Sequence, residues 1–231
     1  MSDVNYLLIA VVAVILFGVI RGYRKGFLRI AVSLASLIFV VFLASKVSTI
    51  VGDFIIDRTP VYEDVRHKIV EIYAEKNGVL DNSVSDNQSL TIQSYELPEL
   101  IASALITNNT QHMYNVLAAS LFEEYISGFL AKIVIKAGSF VGLFIVFAIF
   151  VFIILGVVKI LEKIPVLRTL NRLSGMVAGL SVSLIFVWVF FTAAMIFFTN
   201  SIGTWMFIQI RSSQFLTFLF NNNLLLKILL Q

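Results

Sequence analysis

Four long apolar stretches, Val4 to Ile20, Phe27 to Ser45, Ala137 to Val158 and Gly175 to Phe198, constrain this chain more than anything else in its sequence. The hydrocarbon core of a bilayer takes roughly 20 apolar residues per helix, because every backbone N–H and C=O must be satisfied inside the segment itself. Each stretch is close to that length. The first is interrupted only by Asn5 and Gly18, the second carries Arg29 near its start, and the last two are uncharged throughout. They account for a chain of 231 residues that is 59% apolar and only 13% charged, with a mean hydropathy of +0.95. A soluble core has no use for so much apolar surface. The expected fold class is all-α: a polytopic membrane protein with four transmembrane helices.

Orientation follows from the basic residues of the short loops. Arg21, Arg24, Lys25 and Arg29 surround the first turn, and Lys159, Lys163, Arg168 and Arg172 fill the loop before the fourth span. Positive loops stay in the cytoplasm, which places both chain ends outside, N-out and C-out. Asp3, not a basic cluster, precedes the first span, so that span reads as a retained anchor and not a signal peptide. Lys136, at the edge of the third span, is placed to snorkel towards the head groups.

Between the second and third spans, Lys46 to Lys132 holds 12 acidic residues against 6 basic ones. Val61, Val65, Ile69, Ile72 and Tyr73 form an apolar stripe at helical spacing, with Thr59 and Pro60 as its start and Glu63 and Asp64 in its first turn. Asn77 to Tyr95 has the Asn, Ser and Asp content of a mobile loop, and a short helix is expected over Pro98 to Ile106. From Gln111 the recurrence of Met113, Val116, Leu117, Leu121, Phe122, Tyr125 and Phe129 predicts a helix that runs through Gly128 into the third span. The chain thus divides into a first transmembrane hairpin (1–46), an extracytoplasmic helical domain (47–132), a second hairpin (133–199) and a C-terminal interfacial amphipathic segment (200–231). In that last segment Trp205 and several Phe residues would dip into the acyl boundary. Packing of the segment on the outer domain is the competing reading.

No span carries a charge near its centre, which removes the usual marks of proton relays and ion-coupled transporters. The mid-span hydroxyls Ser33, Ser36, Ser181, Ser183 and Thr192 are expected to bond back to their own helices or link neighbours, with a pore lining as the minority reading. There is no Cys, so disulfides, thiolate metal sites and Cys nucleophiles are excluded. Neither a nucleophile paired with a base nor a phosphate loop can be picked out, so no catalytic residue, cofactor or metal site is expected. His67, flanked by Glu63 and Glu71, and the distant His112 read as solvated side chains. A net charge of +3 gives no reason to propose nucleic acid as a partner.

Three Gly-x-x-x-Gly spacings remain: Gly22 with Gly26, Gly138 with Gly142, and Gly175 with Gly179. Small residues at this spacing let helix backbones approach closely, within a bundle or between protomers of a homo-oligomer. Within the basic turn Arg21, Gly22, Arg24, Lys25, Gly26 and Arg29, topology alone explains the charges but not the two glycines, which call for a tight turn or a close helix approach. Anionic lipid head groups or a cytosolic protein are the ligands such a turn would attract.

The stretch GVIRGYRKGFLRIAVSLAS, with Arg21, Gly22, Tyr23, Lys25, Gly26, Phe27, Ser33 and Leu34, resembles the opening signature of the colicin V production protein family, CvpA, a group of small bacterial inner-membrane proteins. The later IPVLRTLNRLSGMVAGLSVSLIFVW is similar to the family's region before the fourth span, through Pro165, Leu170, Asn171, Gly175 and Gly179. The resemblance implies a four-span protein of the bacterial inner membrane involved in colicin V production or export and in envelope maintenance. The long outer segment departs from typical members, and the protease that follows the fourth span in some relatives is not implied here. The expected role is a non-enzymatic membrane scaffold, embedded in the lipid bilayer, that docks an as yet unidentified protein partner on its extracytoplasmic domain. The alternative is a small oligomeric channel or export-pathway component.

Overall fold

The computed structural model describes residues 4–77, 88–89, 92, 97–157 and 168–230. Among these residues all regular structure is helical: α1 (Tyr6–Lys25), α2 (Phe27–Arg58), α3 (Val61–Asn77), α4 (Glu99–Asn108), α5 (Gln111–Val116), α6 (Phe122–Val157), α7 (Arg168–Ala194), α8 (Ser201–Arg211), α9 (Gln214–Asn221) and α10 (Leu224–Leu229). A 3-10 turn at Met195–Phe197 extends α7. Four helical segments, Tyr6–Lys25, Arg29–Arg58, Phe122–Ile154 and Leu170–Phe197, are long and apolar enough to cross a membrane. The chain is an all-helical, multi-pass membrane protein. Lys159, Lys163, Pro165 and most of the polar stretch from Asn77 to Tyr95 lie outside the described residues.

Two of the helices are much longer than their apolar stretches. At 1.5 Å per residue, the 32 residues of α2 and the 36 of α6 measure about 48 and about 54 Å, against roughly 30 Å of hydrocarbon. Their surplus turns carry Asp53, Asp57 and Arg58 on α2 and Glu123, Glu124 and Lys132 on α6. α2 packs along α6, and Gly52 lets it do so closely: a Cβ there would lie 3.3 Å from Cγ of Lys136 and 3.7 Å from Oγ of Ser139. The stem of Lys136 is therefore part of a helix contact.

The surplus turns hold a small apolar core with α3 and α4. Ile69, Ile92, Ile101, Leu105, Tyr125 and Leu130 are fully buried. The Tyr125 hydroxyl donates to the Leu105 carbonyl at 2.6 Å, and its ring stacks on Tyr114 at 4.9 Å. Of the stripe read on α3, Ile69 is at the centre and Val65 packs beside it, whereas Val61 is 43% exposed. Within the polar stretch, Ile92 is fully buried and Gln88 accepts from the Asn109 amide at 2.9 Å, two contacts that the reading of it as a mobile loop did not include.

Two helix ends differ from the sequence reading. Thr59 closes α2 instead of opening α3, because its hydroxyl donates to the Ile55 carbonyl at 2.7 Å. The helix expected to run from Gln111 into the third span breaks after Val116. Ala118 takes a left-handed φ of 49°, and the Glu124 carboxylate accepts the N–H groups of Ser120 at 2.6 Å and Leu121 at 3.2 Å, which restarts the chain as α6. The apolar period runs across this break, so period alone does not reveal it. From Phe122 the helix is continuous through Gly128.

The C-terminal helices fold back on the same end of the bundle. α8, α9 and α10 begin with Asn200, Ser213 and Asn223, each accepting a backbone N–H. The Asn5 amide donates to the Gln209 carbonyl at 2.7 Å and to Ser212 Oγ at 3.0 Å, tying α8 to the start of α1. The Asn221 amide donates to Glu99 at 2.6 Å, and its oxygen accepts the Leu100 N–H at 3.3 Å, tying α9 to α4. Trp188 of α7 donates to the Leu219 carbonyl at 3.2 Å. Meanwhile Ile202, Trp205, Ile208, Phe215 and Phe218 stay exposed.

Asn223 is the most heavily used of these groups. Fully buried, it donates to the Trp188 carbonyl at 3.0 Å and towards Thr192 Oγ1 at 3.4 Å, and it accepts from the N–H groups of Leu225 and Leu226. Asn223→Ala strands several buried groups at once and is expected to cost about 2–3 kcal/mol. Thermal unfolding in detergent, followed by the fluorescence of Trp188 and Trp205, measures this. The exposed Asn222→Ala should stay within about 0.5 kcal/mol of the parent.

Candidate functional site

At the end of the bundle opposite Asn5, α1 and α7 run antiparallel with their backbones in contact. Gly18 and Gly22 on α1, with Gly26 just beyond it, recur every fourth residue, as do Gly175, Gly179 and Ser183 on α7. A Cβ at Gly22 would strike the carbonyl oxygen of Gly175, one at Gly175 the carbonyl of Gly22, and one at Gly179 the carbonyl of Gly18. At Gly18 it would lie 2.7 Å from the side chain of Ser183. No residue but glycine gives this separation, and among lipid chains close packing of this kind is what holds helices together. α1 consequently lies along α7, with few contacts to α2, its neighbour in sequence.

Gly26 closes the row. With φ of 77° it donates its N–H to the Gly22 carbonyl at 2.9 Å, ends α1 and lets α2 begin at the next residue. A side chain there would be strained by that φ and would meet the amide of Asn171. Arg172 lies over the ring of Tyr23, 5.5 Å from its centroid, within cation–π range. Thus the turn is clamped on α7 by glycine, amide and ring contacts.

Clamping positions the backbone that carries the cations. Arg21, Arg24, Lys25 and Arg29 are exposed, and none of them has an ion pair among the described residues. Arg24 and Lys25 lie in the last turn of α1, where the helix dipole favours positive charge. Of the second basic loop, Arg172 is the one member whose side chain is described.

The other Gly-x-x-x-Gly pair behaves differently. A Cβ at Gly138 or Gly142 would meet nothing within 4 Å, so the expected close packing at this pair does not occur among the described residues. α2 approaches α6 through Gly52 on another face. The span hydroxyls bond back to their own helices, Ser33 to Arg29, Ser181 to Val177, Ser183 to Leu180 and Thr192 to Trp188. His67 and His112 are exposed, and no acidic or histidine cluster suited to a metal occurs among the described residues. Sequence reasoning missed Gly18, Gly52 and Asn223. Gly18 was legible, four residues before Gly22; a lone glycine in a long helix and an Asn in a run of three carry no such signal.

Residues 8–79 match the family model of the colicin V production protein. The resemblance seen in the basic turn is thereby established for α1, α2 and α3, just under a third of the chain. Glycines 18, 22 and 26 fall inside the matched residues, and their partners on α7 fall outside them. No curated protein and no solved structure matches the chain.

Substitution separates the two glycine pairs. Gly179→Leu should split α1 from α7, giving a large drop in unfolding temperature in detergent and poor accumulation in the membrane. Gly142→Leu should leave both unchanged. Equal tolerance of the two substitutions would remove the contact from the account.

Proposed function

We propose that this protein is a non-enzymatic scaffold of the bacterial inner membrane, oriented N-out and C-out, that takes part in colicin V production or export and in envelope maintenance by docking a protein partner on its extracytoplasmic domain. The family match supports the membrane and colicin V part of this reading. The orientation rests on Arg21, Arg24, Lys25 and Arg29 gathering at one end of the bundle, while α3, α4 and α8 to α10 gather at the other.

The observation that carries the docking reading is a groove between α4 and the C-terminal helices. One cavity of about 480 Å³ is lined by Leu97, Glu99, Ala102, Ser103, Ile106, Arg211 and Thr217. A second of about 420 Å³ shares Arg211 and Thr217 and continues along Gln214, Phe218 and Asn222. Apolar walls beside a few polar groups give such a groove both area and register for a protein segment. Ser33, Ser181, Ser183 and Thr192 spend their hydroxyls on their own helices, which gives little support to a channel lining in the single chain.

Two measurements test this. Cysteines introduced at Thr107 and Asn222 should react with an impermeant reagent in spheroplasts, and one at Ser174 should not; the opposite pattern overturns the orientation. Ser103→Trp fills the groove from an exposed position. It should abolish complementation of a deletion strain while membrane level and unfolding temperature stay at parental values. Full complementation by that variant removes the groove as the docking surface.

A further inference from the structure

The glycine contact leaves one face of α1 free. Phe17, Ile20, Arg21 and Arg24 stand at i, i+3, i+4 and i+7, away from the face that carries Gly18 and Gly22. Phe17 is 63% and Ile20 56% exposed, and with Arg21, Arg24 and Lys25 they line an open cavity of about 370 Å³. The apolar wall lies on the span side and the three cations at the turn. From Phe17 to Arg24 the helix rises about 10 Å, enough to reach from the upper acyl chain to the head-group layer of one leaflet.

Topology does not ask for this arrangement. Loop charges orient a hairpin wherever they stand around the helix, and Arg29, just as near the turn, lies outside the cavity. Complementing the α1 dipole accounts for Arg24 and Lys25 but not for Arg21 or the apolar wall. Convergence of three cations, none ion-paired among the described residues, with an apolar wall on an exposed stripe matches an amphiphile with an anionic head.

We propose that Phe17, Ile20, Arg21, Arg24 and Lys25 form a binding site for one anionic glycerophospholipid, its phosphate held by the cations and the start of an acyl chain lying on Phe17 and Ile20. The site is distinct from the groove at the other end of the bundle and does not depend on it.

Detergent-solubilised protein titrated against acyl-labelled phosphatidylglycerol or phosphatidylcholine, read by fluorescence anisotropy, tests this without reference to orientation. Phosphatidylglycerol should bind at least about tenfold more tightly. At roughly 1 kcal/mol per cation, Arg24→Gln should weaken it about fivefold and Arg21→Gln with Arg24→Gln about 25-fold. Arg29→Gln should stay within about twofold. Phe17→Gln should weaken the lipid as well, and glycerol 3-phosphate should compete poorly. Equal binding of the two lipids overturns the proposal. So does a loss with Arg29→Gln as large as with Arg24→Gln, which means diffuse attraction to charge, or competition by glycerol 3-phosphate as strong as by lipid, which means a site for a free phosphate ester. If the double variant does not fold, the single Arg24→Gln decides alone.

Discussion

Everything at the turn end of this molecule depends on the backbone contact between α1 and α7. Within lipid, two apolar helices gain little by exchanging acyl chains for each other's side chains, so what holds them is the closeness that glycine permits. Gly18, Gly22, Gly175 and Gly179 supply that closeness reciprocally, each carbonyl occupying the space where the other helix would carry a Cβ. The contact joins the first span to the last. It also makes Gly26 more than a flexible link, since the one-residue turn packs against the amide of Asn171.

The other end is built on a different principle. There the chain uses amide hydrogen bonds: half-buried Asn5 to α8, half-buried Asn221 to α4 and buried Asn223 to α7. Asparagine suits this work because it offers donors and an acceptor without charge, so it can be buried once its partners are in place. The long α2 and α6 connect the two ends, carrying the helical direction of the spans out beyond the apolar stretch until α3 and α4 can pack on them. Arg66, which pairs with Glu63 at 3.3 Å and Glu124 at 3.6 Å, adds a surface link of small worth.

How much of this the sequence reveals depends on the range of the interaction. The four spans and the apolar stripe of α3 at Val65 and Ile69 follow from composition and local period, which are properties of neighbouring residues. Gly22, Gly26, Gly175 and Gly179 could be singled out by spacing, yet which pairs meet is a long-range fact: Gly138 and Gly142 have the same spacing, and a Cβ there would meet no described residue within 4 Å. The end of the helix at Val116 was invisible for a similar reason, because Ala118 and the Glu124 cap act on the backbone while the apolar period continues. The hydrogen bonds of Asn5 and Asn223 span 204 and 35 residues, and no local pattern encodes them.

The division between glycine packing at one end and amide hydrogen bonding at the other sets what each end can do. A glycine seat has no side chains to rearrange, so it places the backbone of Arg21, Arg24 and Lys25 closely against α7. An amide network is held by groups that water also satisfies, so its net strength is modest and its opening cost is set by how many groups are stranded at once. The groove between α4 and α9 is walled by the pieces that Asn221 holds together, through a 2.6 Å bond to Glu99 and a 3.3 Å bond from Leu100. The groove thus stands on exchangeable hydrogen bonds, whereas the first and last spans are joined by backbone contact that no side-chain rearrangement can relieve.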